Sequence, residues 1–230
     1  MSTYEVNGKK LPSVTTIISD CTDKGVPLTQ WAANCVVDWI KQNCHENPII
    51  APSKCYLVFE NELQHARVNF RDVSQEALDV GSCVHNAIET YLLTGKEVKI
   101  ENDQAIAGYL AFLEFAEQHK MKTHHCELQV TTNTWAGTLD WEGELDDKLT
   151  VIDFKASKAI YPEYRYQVAA YRSATGAEAN GILRLDKETG FPEYKDYSKT
   201  YEKDLAVFNA MVNLYFLRHP RIAKAAGLPF

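Results

Sequence analysis

Six carboxylates fall within residues 137–158, GTLDWEGELDDKLTVIDFKASK: Asp140, Glu142, Glu144, Asp146, Asp147 and Asp153. Lys155 follows the last of them by two positions. Alternate residues of a strand share a face, so Asp153 and Lys155 point one way and Phe154 the other. Asp140 lies near the middle of the strand-like run before it. Two carboxylates and a lysine that converge from adjacent strands suit a hard divalent cation, which takes carboxylate, water and phosphate oxygens as ligands. The lysine adds a point charge for a phosphate or an attacking water. The chemistry would be metal-assisted attack at a phosphate. The plainer alternative is a solvated hairpin with surface ion pairs, and it suits Glu142, Glu144, Asp146 and Asp147. It suits Asp153 and Lys155 poorly. They follow the apolar Val151-Ile152, and isolated charges on a buried strand are costly without a partner or a metal.

The elements that must position these groups can be read from periodicity. The segments 126–134, 136–145 and 149–156 read as three strands joined by short turns, hence as antiparallel neighbours. A helix is expected at 163–175, strands at 180–186 and 192–197, and a last helix at 200–217. Upstream, 4–11 reads as a hairpin about Asn7-Gly8. Helices are expected at 28–45, 56–70 and 103–119, with a proline-containing loop at 46–55. The clearest helix is 74–93, with Ser74 as its cap and Gly95 as its stop. Its apolar stripe runs through 77, 80, 84, 87, 88, 91 and 92. His85 sits at the edge of that stripe, and Gly81 is expected to allow close approach of helix to sheet. The order predicts a mixed α+β (α/β) fold, a central mixed sheet flanked by helices. It predicts one domain over 1–230, with an N-terminal helical part (1–73), a core (74–200) and a C-terminal helix and tail (201–230).

GTLD followed by VIDFKAS resembles the signature of the PD-(D/E)XK nuclease superfamily. It is most similar to the RecB-like branch that includes phage exonucleases, CRISPR adaptation nucleases and the mitochondrial genome maintenance exonuclease. VGSCVHNAIETYL (80–92) is similar to that branch's upstream histidine helix. YRYQVAAY (164–171) is similar to its Q-x-x-x-Y helix, and LPSVTTII (11–18) to the N-terminal region of the phage and mitochondrial relatives. The resemblance implies a restriction-endonuclease-like core and a DNA exonuclease acting on single-stranded ends. It implies that His85, Asp140, Asp153 and the Phe154 carbonyl hold Mg2+ or Mn2+. Lys155 would orient or polarise the attacking water, kept protonated by its carboxylate neighbours. Gln167 and Tyr171, four residues apart and so on one helix face, would position these groups.

Glu127 matches a carboxylate found on the first strand of the branch, as a further ligand or a plain strand glutamate. His85 as a core histidine satisfied by one hydrogen bond, and 163–175 as an ordinary amphipathic helix, remain the simpler readings. Ser13, Thr15, Ser157, Tyr164 and Arg165 are candidate DNA contacts, and Trp31 is a candidate for base stacking or core packing. Two rivals stay open: a structure-specific endonuclease, and a non-catalytic DNA-binding recombination accessory protein with the same fold. The branch's proline before the first aspartate is replaced here by Leu139.

Bulk composition frames this. The 230 residues carry a net charge of −7, which does not advertise a nucleic-acid binder. Yet residues 155–230 carry +4 and residues 1–154 carry −11, of which −6 lies in 124–154. A bound metal would offset part of that local charge. The six cysteines are scattered without C-x-x-C pairs, which reads as free thiols and no iron–sulfur cluster. HKMKTHHC (119–126) lacks paired-ligand spacing for zinc. No G-x-x-x-x-G-K-[ST] site for ATP is present, so unwinding would need a separate helicase or recombinase. No membrane span or targeting segment is expected, and the location would be cytoplasmic, in a host cell if the chain is of phage origin.

Overall fold

The structure, a computed structural model, describes residues 3–6, 8–22, 25–44 and 52–229. Over 25–28, 39–44 and 52–71 the backbone alone is described. Asn7, and the expected loop up to 51, lie outside the described residues.

β1 (Thr3–Val6) and β2 (Lys9–Pro12) form the N-terminal hairpin, with Gly8 at φ 73° in its turn. α1 (Val14–Cys21) starts at Ser13, whose Oγ accepts the Thr16 N–H at 3.0 Å. α2 (Gly25–Cys44) follows, and then α3 (Pro52–Thr94). The helix expected to begin at Ser74 is instead the second half of α3. No proline or glycine stands between Pro52 and Gly81 to interrupt it, and an interior serine costs only about 0.5 kcal/mol. α4 (Asp103–Gln118) is capped by Asn102. The remaining elements are β3 (Met121–Thr131), β4 (Ala136–Leu145), β5 (Lys148–Lys155), α5 (Tyr164–Thr175), β6 (Ala179–Leu185), β7 (Pro192–Asp196), α6 (Tyr201–Arg218) and α7 (Pro220–Ala225).

The main sheet has the order β3-β4-β5-β6-β7. β3, β4 and β5 form an antiparallel meander, α5 carries the chain across to a parallel β6, and β7 returns antiparallel. This is the mixed α+β class that the periodicity predicts. One core packs α1, α5, α6 and α7 against sheet residues including Leu139 and Val151. The other packs α3 and α4 against Trp141, Ile152, Phe154, Leu183 and Leu185. Helices therefore cover both faces of the sheet, and β5, in the middle, is buried from Thr150 to Phe154.

The chain divides into two compact units, 1–22 with 80–230, and 23–79. Residues 1–22, expected with the N-terminal helical part, pack with the sheet: Leu11, Val14, Ile17 and Ile18 share a core with Val151 and Phe208. The second unit holds α2 and the first part of α3, with Cys35 buried and Trp31 half-buried. The expected role of Gly81 is corrected as well. A Cβ there meets nothing within 4 Å, whereas one at Gly108 would stand 3.0 Å from Val84 Cγ2. The close approach is thus between α3 and α4, with Gly108 on the α4 side.

Candidate active site

β4 and β5 pair from Leu145–Lys148 to Trp141–Ile152, and there the ladder stops. The next opposed positions in that register are Asp140 and Asp153. The strands part where the two aspartates stand, and a side chain replaces the backbone partner: the Phe154 N–H donates to Asp140 Oδ2 at 2.7 Å. Leu139 and Trp141, two apart on β4, join different cores, as a strand turning at Asp140 requires. β3 is irregular beside it. Glu127, between the paired Cys126–Trp141 and Leu128–Leu139, has φ 48°. A non-glycine residue in the left-handed region is strained by about 1–3 kcal/mol, and such strain concentrates at functional sites.

Three side chains meet at this opening. His85 Nδ1 lies 3.8 Å from Asp140 Oδ1 and 4.0 Å from Glu127 Oε1. One ligand atom from each of the three falls within 4.8 Å of the others. The His85 distances are beyond hydrogen-bond reach. They match the separation of two ligands that share one ion, at most about 4.2 Å for ligand distances near 2.1 Å. Asp140 has one oxygen held by Phe154 and the other turned to His85, so a lone donor faces the gap. The donor set, one imidazole and two carboxylates, fits a divalent cation.

Electrostatics agree with that fit. Burial, followed by the nearby Asp153, pushes the Asp140 carboxyl well above the usual carboxylate range, against the pull of Lys155 and the Phe154 N–H. Burial also raises Glu127, with Glu89 and Asp153 adding to it. The protein alone thus leaves this corner short of positive charge. His85 is pushed down by burial, with Asp153 and a backbone hydrogen bond to Phe154 opposing and Lys155 assisting. A lowered imidazole is neutral at pH 7, the form that ligates metals.

Asp153 is not in the His85–Glu127–Asp140 group at that spacing. It is 1% exposed and engaged on both oxygens. Gln167 Nε2 donates to Oδ1 at 2.7 Å, and Lys155 Nζ lies 2.6 Å from Oδ2. The second contact is an ion pair that holds the Lys155 ammonium against this buried carboxylate. Burial opposes the Lys155 charge, but Asp153 and Asp140 outweigh it and the net shift is upward. Lys155 is therefore an ammonium at neutral pH. Gln167 Nε2 also lies 3.4 Å from Tyr171 Oη. The Tyr171 hydroxyl is pushed far above its ordinary value by burial and then by Asp153, so it stays protonated.

The other expected contacts are differently engaged. Ser13 caps α1, and its Oγ lies 3.0 Å from the exposed Thr15 Oγ1. Ser157 Oγ donates to Ala159 O at 2.8 Å. Tyr164 hydrogen-bonds Ser157 and lays its ring 5.1 Å from Lys155 Nζ. Arg165 Nε donates to the fully buried Asp204 at 2.6 Å, which ties α5 to α6. The Phe154 carbonyl, expected as a ligand, faces the His85 ring through the backbone hydrogen bond between them.

Two features escaped the sequence reading. Glu89, one turn after His85 on α3, acts on both Glu127 and Cys126. Its i,i+4 spacing from His85 was the available signal. Gly137 is needed because a Cβ there would stand 2.7 Å from Tyr171 Cε1. One solvated-hairpin expectation is corrected: Glu142 is buried, with His125 Nε2 3.9 Å from its Oε2. Glu144, Asp146 and Asp147 do form surface pairs, with Lys122 and His124, with His119, and with Lys120.

No helix among the described residues is long and apolar enough to cross a membrane. No protein-family model matches the chain, and no curated protein matches it. Solved structures similar to it include an alkaline exonuclease (LHK-Exo) from Laribacter hongkongensis, at 14% identity and TM-score 0.31 over 69% of this chain and 86% of that one. The same exonuclease in complex with dAMP is similar at 16% identity and TM-score 0.32, over 62% and 91%. SSO0001 is similar at 12% identity and TM-score 0.28, over 57% and 74%. The chemistry rests on the chain's own side chains.

Proposed function

We propose that this chain is a divalent-metal-dependent deoxyribonuclease that degrades DNA from ends, single strands by preference. The observation that carries the reading is the parted β4–β5 ladder, where Asp140 meets His85 and Glu127 and where Asp153 pairs with Lys155. A surface ion pair needs no such opening, and a protein that only binds DNA gains nothing from two carboxylates gathered at a histidine with no cation between them.

His85, Asp140 and Glu127 would hold Mg2+ or Mn2+, with Asp153 and the Phe154 carbonyl beside them. Such an ion supplies Lewis acidity, neutralising charge that builds on the phosphate and lowering the pKa of water. Lys155, protonated, cannot take the proton of the attacking water. It hydrogen-bonds that water or the phosphate and stabilises the developing negative charge. Glu127, whose carboxyl is raised in the metal-free protein, would hold the ion or orient the attacking water, and the proton of that water would pass to solvent or to the departing oxygen. Gln167 is a positioning residue: it fixes Asp153 Oδ1, so that Oδ2 meets Lys155. Tyr171 supports Gln167 from the same helix face.

End-labelled linear and closed circular single strands, each with Mg2+ and with chelator, test the reading. Loss of the linear form only, and only with metal, is expected. Rapid cutting of the circle would replace the exonuclease by a structure-specific endonuclease, and no metal-dependent cleavage of either would leave a DNA-binding accessory protein. His85→Ala should shift the Mn2+ requirement for cleavage upward more than it changes DNA affinity, and an unchanged metal curve would return His85 to a core role.

A further inference from the structure

The loop 156–163, between the strand that carries Lys155 and helix α5, holds two groups that the site leaves unused. Its main chain is pinned. Ser157 Oγ donates to Ala159 O at 2.8 Å, Arg184 Nη1 to Lys158 O at 3.4 Å, and the Tyr164 N–H to Tyr161 O at 3.1 Å. The polar side chains around it that looked suited to DNA are turned to internal partners: Ser157 to Ala159 and Tyr164, Tyr164 toward Lys155, and Arg165 to Asp204. Lys158 and Tyr161 remain. Lys158 is exposed, and among the described residues its ammonium pairs with no carboxylate. Tyr161 is 44% exposed and stands edge-on to Tyr164, with ring centroids 5.6 Å apart and planes at 87°. One side of its ring is thereby braced. Tyr164 in turn has its centroid 5.1 Å from Lys155 Nζ.

We infer that Lys158 and Tyr161 form a strand-holding subsite, with a nucleobase of single-stranded DNA stacked on Tyr161 and a neighbouring backbone phosphate on Lys158. This deepens the nuclease reading and rests on it. A fixed main chain suits such a subsite, because the aromatic is ordered before the base arrives and little entropy is lost on stacking. Base–aromatic stacking is tolerant of sequence, since every base has a π-face. The subsite would therefore hold a strand without choosing its sequence, as progressive degradation from an end requires. It also fits the charge of the chain. One exposed lysine and one ring beside the centre hold a polyanion locally, with no broad basic face.

Anisotropy of a fluorescein-labelled oligothymidylate, with Ca2+ present and Mg2+ absent, reads the subsite, and cleavage in Mg2+ reads the centre. Tyr161→Ala should weaken Kd about tenfold, whereas Tyr161→Phe, which keeps the ring, should stay within about twofold. On an oligomer of abasic sites, wild type and Tyr161→Ala should bind alike. Lys158→Ala should reduce the slope of log K against log salt by about 0.7. An unchanged Kd for Tyr161→Ala in an enzyme that cleaves would overturn the subsite and leave the nuclease reading intact, and so would an equal loss on the abasic strand. Absent cleavage by wild type, with the Tyr161 and Lys158 effects as expected, would overturn the nuclease reading and keep the strand-binding loop.

Discussion

Strand β4 and the turn after it carry acid in two places, and the two differ in burial and in pairing. At the far end Glu144, Asp146 and Asp147 stand at the surface, each beside a basic side chain: Glu144 lies 2.8 Å from Lys122 Nζ and Asp146 2.7 Å from His119 Nδ1. The lysine and His119 hold the Glu144 and Asp146 carboxyls, respectively, below their ordinary values. In the middle of the strand Asp140 is held by a backbone N–H and faces a neutral histidine and a second raised carboxyl. Its own carboxyl is pushed up. Carboxylates a few residues apart on one strand thus move in opposite directions, because water and salt bridges serve one group and burial isolates the other. Density of acid marks neither as a site. What marks Asp140 is a charge deficit that the protein leaves open.

The largest expected contrast between the two places is in chemistry. Lys155→Ala or Asp153→Ala should lower cleavage by about 100- to 1,000-fold or more, with the far-ultraviolet circular dichroism unchanged. Glu144→Ala should leave the rate within about twofold, since exposed pairs contribute little. Comparable losses in both would erase the distinction. Gly137→Ala comes next, on the Asp140 side. The new Cβ has no space beside the Tyr171 ring, and forced overpacking costs about 1–3 kcal/mol. At about 2–4 °C per kcal/mol in a chain of this size, thermal unfolding should reveal it.

Asp140→Asn sharpens the comparison through its sign. A carboxyl raised above its unfolded value of about 3.8 loses stability as pH climbs through that value toward the folded one. Removing the charge should therefore raise Tm by a few degrees at pH 7 in chelator, while abolishing cleavage. A lowered Tm would mean that Asp140 is satisfied without a cation. Asp146→Asn should do the opposite and less. Its depressed carboxyl contributes stability that is present above the unfolded value of 3.8 and lost as pH falls through the lower folded one. For so exposed a pair the effect is at most about 0.5 kcal/mol after screening, and high salt should remove it.

Much of the framework was legible because it is local. Alternation placed Asp153 and Lys155 on one face of β5, and the helical period placed Gln167 and Tyr171 on one face of α5. The N-terminal hairpin could be read from Asn7-Gly8 alone. α3 shows where local reading fails: Ser74 has the chemistry of a cap, yet no breaker precedes it and the helix runs through.

Residue types and periods therefore determined the class of fold, the order of the strands along the chain and a short set of candidate site residues, Asp140, Asp153 and Lys155. The tertiary structure decided which carboxylates meet. It drew Glu127 to His85 and Asp140, engaged Asp153 with Lys155 and Gln167, buried Glu142, and set Gly137 under Tyr171. Each of these depends on where a ladder stops or which helix lies above a strand. Such events join residues far apart in sequence, and no window along the chain contains them.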